Sequence, residues 1–150
     1  MDSDNQYDSH AYHDNTVHGI RFLVEDFLSE VVFDIDHIVR WPVHACEADE
    51  KSVFKVAKGN LRFSDVTDLN VNIDWGKSGY TTAVSGTSID KIERRTVATT
   101  LRLPAYYHWD VLMTDGRSTV SFGASGMSFE IKGESIDVER QYLNGSERNR

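Results

Sequence analysis

The chain has 150 residues, and 16 Lys+Arg against 24 Asp+Glu give it a formal charge of −8. That length supports one domain whose core needs no disulfide or metal, and the single cysteine, Cys46, excludes an internal disulfide and a multi-cysteine zinc site. Surplus acid argues against nucleic-acid backbones, and no apolar run approaches the ~18 residues of a membrane span. The start, Met1-Asp2-Ser3-Asp4-Asn5, lacks the basic and apolar regions of a secretory signal, so a cytoplasmic location is expected.

Residues 1–12 carry acid without Lys or Arg and read as a polar, flexible tail, leaving 13–143 as one β domain and 144–150 as a second polar tail. From Val17 the pattern alternates, with His18, Ile20, Phe22 and Val24 on one face. A longer alternation follows, in which Val31, Phe33, Ile35, His37, Val39 and Trp41 oppose Val32, Asp34, Asp36, Ile38 and Arg40. Closing these two as a hairpin with apolar faces together sets Ile20 opposite His37, Phe22 opposite Ile35 and Val24 opposite Phe33. Arg21 then faces Asp36 as a cross-strand ion pair.

Gly59-Asn60 between Val53–Lys58 and Leu61–Val66 is a two-residue hairpin signal. The next segment alternates Leu69, Val71, Ile73 and Trp75 inward with Asp68, Asn70, Asn72 and Asp74 outward. Thr87 followed by Asp90 imitates a capping box, and Ile89 with Ile92 a short apolar stripe, so one short helix is expected over 88–95. Weaker strands are expected over 96–103 and 136–142. Between them, a turn at Asp115-Gly116 sets Val111 opposite Val120 and Trp109 opposite Phe122. Continuing through Gly123-Ala124-Ser125-Gly126 sets Phe122 against Met127 and Val120 against Phe129, a three-stranded meander. Eight to ten short strands with turns between them predict an all-β, antiparallel sandwich or barrel.

Several motifs imitate chemistry and fail on spacing. Asp68-x-Asn70-x-Asn72 opens like a calcium loop, but position six is Ile73 instead of Gly and position twelve is Gly79 instead of Glu. Phe122-Gly123-Ala124-Ser125-Gly126 places its second Gly one residue early for a nucleophile elbow, and a strand follows it, so it reads as a hairpin loop whose Gly residues permit positive φ. Cys46 and His44 stand two apart in a loop, which rarely presents a nucleophile and its base. His108 and Asp110 share a polar face about 7 Å apart along a strand. His13, His18, Asp34 and Asp36 are the ligand types nearest one another, but they lack a recognised metal spacing, and Asp34 and Asp36 point away from His37.

The ordered segments His13-Asp14-Asn15-Thr16-Val17-His18-Gly19, Asp34-Ile35-Asp36-His37-Ile38, Val66-Thr67-Asp68-Leu69 and Phe122-Gly123-Ala124-Ser125-Gly126 resemble those of a group of small uncharacterised bacterial proteins. The resemblance spans about residues 13–130. It implies no activity, so no catalytic residue is carried over from it.

The expected function is therefore a non-catalytic binding module, immunity-like in size and acidity. Asp68, Asn70, Asn72 and Asp74 would meet a basic protein partner, with no cofactor, metal, nucleic acid or membrane involved. The alternative is a metal-assisted hydrolase or other enzyme built on His13, His18, Asp34 or Asp36.

Overall fold

The computed structural model describes residues 7–43, 53–74, 76, 86–98 and 102–149. Their elements are β1 (Thr16–Glu25), β2 (Leu28–Arg40), β3 (Phe54–Ser64), β4 (Thr67–Asn72), β5 (Thr87–Thr96), β6 (Tyr107–Met113), β7 (Thr119–Ala124), β8 (Gly126–Ile131), β9 (Ile136–Val138) and α1 (Gly145–Arg148). The structure is thus almost all β, antiparallel and sandwich-like, as the alternation predicts. Among the described residues no helix is long and apolar enough to cross a membrane.

The hydrogen-bonded order is β4-β7-β6-β5-β1-β2-β3-β8, with β9 also on β3. This path has two halves. One holds β1, β2, β3, β8 and β9, the other β4 to β7, and among the described strands the ladder that joins them pairs Thr16 and Val17 with Ser88 and Thr87. Apolar side chains of the two halves meet in a common core. The Phe63 ring of the first half lies edge-on, 5.1 Å from Trp109 and 4.7 Å from Phe122 of the second. All three are fully buried, together with Phe33, Ile35, Leu61, Ile89, Ile92, Val111 and Val120.

The β6–β7 hairpin has the register expected of it, Val111 with Val120 and Trp109 with Phe122. Its turn is held by Asp115, whose carboxylate accepts from the Arg117 and Ser118 amides at 2.8 and 2.7 Å, while Gly116 takes φ 72°.

Three local readings are corrected. The β1–β2 hairpin closes four residues tighter than the face-matching register, with Ile20 on Phe33, Phe22 on Val31 and Arg21 on Val32. Its turn is Asp26-Phe27, both at positive φ (50° and 66°), and it carries none of the Gly that usually marks such turns. Gly59-Asn60 lies inside β3, with no turn there. Gly59 is required for another reason: a Cβ there would stand 2.5 Å from the Phe129 ring of β8. The segment 88–95 is strand, not helix. A register shift between Ile89 and Lys91 makes one extra residue in β5, so Ile89 and Ile92 both reach the core at a spacing that mimics a helical stripe.

The topology is corrected as well. β8 does not extend a meander beside β7 but crosses at Ser125 to pair with β3, setting Phe129 on Leu61 and Met127 on Phe63. Neither Gly123 nor Gly126 has positive φ. Gly123 instead admits Tyr106, whose ring would lie 2.8 Å from a Cβ at that position. β5 ends at Thr96, so the described part of 97–103 is not strand, and β9 is shorter than expected. Trp75, His44 and Cys46 fall outside the described residues.

Both supposed tails are packed where they are described. Tyr7 lies edge-on to Trp109 at 5.5 Å and donates its hydroxyl to the Ile92 carbonyl at 3.1 Å. Tyr12 is buried in the core, and burial, then the Asp8 charge, push its hydroxyl pKa up to about 12. At the other end, α1 starts on a capping box in which Asn144 and Glu147 satisfy each other's amides.

Candidate functional site

A cluster of polar residues gathers on the face of β1 and β2 that carries Asp34 and Asp36. In β1 the register passes from Val17 on Ile35 to Gly19 on Asp34, so His18 is the extra residue of a bulge. Strict alternation put its side chain with Ile20 and Phe22. The bulge turns it to the opposite face, where its Nε2 meets Asp36 Oδ2 at 2.6 Å.

Asp36 is fully buried, and its protein partners account for both oxygens. Oδ2 also accepts the Leu143 amide at 2.8 Å, and Oδ1 accepts from the Arg148 guanidinium, which reaches Asp34 with its other nitrogen. A lone buried carboxylate would be strongly disfavoured, and these partners compensate the loss of water around Asp36. The ion pair expected between Arg21 and Asp36 is thus replaced by one with Arg148, a residue of the supposed tail. The arrangement is a latch. It fastens the chain from Leu143 to Arg148 across β2, over a small second core of Val56, Val138 and Leu143.

The remaining candidates are tied elsewhere. His13 Nδ1 meets the Asp90 carbonyl at 2.8 Å, away from the Asp36 latch. Asp14, at φ 61°, forms the turn that leads into β1 and donates its amide to the Ile89 carbonyl. His37 points to the opposite face from Asp34 and Asp36, as alternation requires. It packs against Phe129 and bonds Asn15 Oδ1 at 2.9 Å. Burial lowers its pKa, favouring the neutral ring. Asn15 is a residue the sequence reading passed over. It is buried, and its one carbonyl oxygen also accepts the Ile38 amide at 3.1 Å. Among the described residues no group of three or more His, Cys, Asp and Glu is placed to hold a metal ion.

His18 borders a cleft of about 610 Å³ at the β1–β5 seam, with Thr16, Thr87, Ser88 and Tyr142 around it. An imidazole oriented by a buried carboxylate beside a cleft is the geometry of an acid–base residue. His108 and Asp110 do approach, at 3.2 Å, but the same Asp110 oxygen takes the Ser121 hydroxyl at 2.6 Å. The carboxylate then lies between serine and histidine, whereas activation of the serine needs the histidine in the middle.

Asp68, Asn70 and Asn72 lie on β4, the end strand of the sheet path, and all six residues of β4 are exposed. A register shift between Thr67 and Asn70 breaks the alternation at Asp68, which takes φ 53° and accepts the Thr67 hydroxyl at 2.8 Å. Leu69, Val71 and Ile73, expected inward, are each more than a third exposed. Asp74 follows the strand, accepts the Gly76 amide at 2.8 Å and stands 3.8 Å from Arg117.

No known protein family matches the chain, and neither does any curated protein or any solved structure.

Proposed function

We propose that this chain is a small non-catalytic binding module, and that the acidic end strand β4 receives a basic protein segment, in the manner of an immunity-like protein masking its target. The observation that carries this reading is the placement of β4. It ends the sheet path, its six residues are exposed, and no strand covers its outer edge among the described residues. An open edge offers a row of backbone donors and acceptors, and Asp68 and Asp74 add negative charge beside it, which suits a strand rich in Lys or Arg.

The test is titration of the full chain with a peptide of alternating Lys and Val, read by amide hydrogen exchange. Slower exchange over 67–72, weakened by salt and by Asp68→Asn with Asp74→Asn, supports the reading. Exchange unchanged in β4 at saturating peptide overturns it.

A second reading rests on His18, held by buried Asp36 at the mouth of its cleft. In its metal-assisted form, zinc, manganese, magnesium or calcium should raise the melting temperature in a way lost in His18→Ala. We expect no such rise, because Arg148, Leu143 and His18 already engage the Asp36 oxygens.

A further inference from the structure

The far half of the β1–β2 hairpin is apolar and uncovered. Phe22, Val24 and Leu28 are 53, 79 and 62% exposed, and Phe27 stands wholly in solvent at a left-handed backbone that a side chain makes costly. Beyond Val17, no strand among the described residues pairs with the outer edge of β1. An open edge bearing apolar side chains on both faces is a pairing surface, whereas in β4 the exposed Leu69 and Val71 alternate with Asp68, Asn70 and Asn72.

We propose that two copies of this chain pair antiparallel through the outer edge of β1, about a two-fold axis at Leu23. The register follows from the backbone and from charge. A two-residue turn makes Glu25 and Leu28 a hydrogen-bonded pair, so bonding toward β2 alternates through Glu25, Leu23 and Arg21. The amides and carbonyls of Ile20, Phe22 and Val24 therefore point outward. A two-fold antiparallel pairing must set outward residues opposite outward ones, which puts the axis on a residue, and along the exposed apolar stretch of β1 these are Phe22, Leu23 and Val24.

Charge chooses among these three. With the axis at Phe22, Arg21 meets Leu23, and with the axis at Val24, Glu25 meets Leu23. At Leu23, Arg21 of each copy meets Glu25 of the other at the close, non-hydrogen-bonded spacing. Neither residue has an ion-pair partner within its own chain among the described residues, so both are available. On the opposite face Phe22 meets Val24 twice. This inference uses a different strand from β4 and does not depend on the basic-partner reading.

Sedimentation of the full chain from micromolar to millimolar concentration tests it. A reversible monomer–dimer equilibrium is expected. Arg21→Glu alone and Glu25→Arg alone should each weaken it roughly ten-fold, because two attractions become two repulsions, and the double exchange should restore it. Arg21 and Glu25 both lie exposed at the surface, so the melting temperature of the monomer serves as the folding control. A chain that stays monomeric throughout overturns the proposal. So does a dimer indifferent to the single exchanges, or one that the double exchange does not rescue.

Discussion

The β6–β7 and β1–β2 hairpins are built from the same kind of alternating sequence, yet one is the centre of the core and the other projects from it. In β6–β7, Trp109, Val111, Val120 and Phe122 are each fully buried against the opposite half of the fold. In β1–β2 the same periodicity continues past the point where any described residue covers it, and Phe22, Val24 and Leu28 are exposed. Alternation therefore specifies a strand and its faces, but coverage is a property of what lies across the gap. Among the described residues the exposed half is held by its turn, its ladder and the hydrogen bonds between Ser29 and Val66, which leaves its apolar face free to contact another molecule.

The largest effect should come from the covered hairpin. Trp109→Ala removes a ring that touches Phe63, Tyr7 and Tyr107, and should cost about 3–5 kcal/mol in urea unfolding. If Val24→Ser costs as much, the contrast between the hairpins fails, because a mostly exposed residue should shift stability by about 0.5 kcal/mol or less.

The near half of β1–β2 should respond through its latch. Arg148→Met leaves the buried Asp36 with His18 and the Leu143 amide but without its guanidinium, at a cost of roughly 3 kcal/mol. Arg62→Met breaks the half-exposed pair with Glu30 and should cost about 0–1 kcal/mol. Similar losses in both variants would show that Arg148 is only a surface contact.

A pH titration refines the same comparison. Burial holds the His37 pKa below its ordinary 6.5, so the unfolded chain binds a proton there more readily than the folded one. Its contribution to stability is complete above about pH 6.5 and is lost as pH falls toward the lowered value. Urea midpoints for His37→Gln should lack that part of the decline between pH 7 and 5, and a decline of unchanged steepness would contradict the burial.

The smallest effect belongs to the turn. Phe27→Gly gives up no packing and relieves a left-handed aromatic residue, so the monomer should gain about 0.5–1 kcal/mol. A loss of stability instead would mean that Phe27 contacts its own chain.

Most of the strands were legible because period-two alternation is local: Trp109 with Phe122 needed only the turn at Asp115-Gly116 and the rule that apolar faces coincide. The strand character of the Asp68–Asn72 segment was legible for the same reason, but its bulge at Asp68 was not. The Asp36 latch was only half legible. Period-two alternation places Asp34 and Asp36 on the face away from His37, as found, but the cation expected across from Asp36 is Arg21, which the register sets on Val32 instead. The cation found there, Arg148, lies 112 residues from Asp36, beyond the reach of any local pattern.

Where the chain departs from its regular period, only three-dimensional packing could decide. The bulges at His18 and in β5 each add one residue, which reverses the faces of everything beyond them, and Ile89 and Ile92 then imitate a helix. Gly59 imitates a turn because glycine serves two purposes, positive φ and close approach, and the Phe129 ring that demands the second comes from β8. Residue types and spacing by themselves determined an acidic chain of short antiparallel strands with correct inward faces over most of them. Strand order, the crossing of β8 to β3 and the burial of Asp36 were decided by the tertiary structure, because each depends on which distant surface fills the space beside a strand.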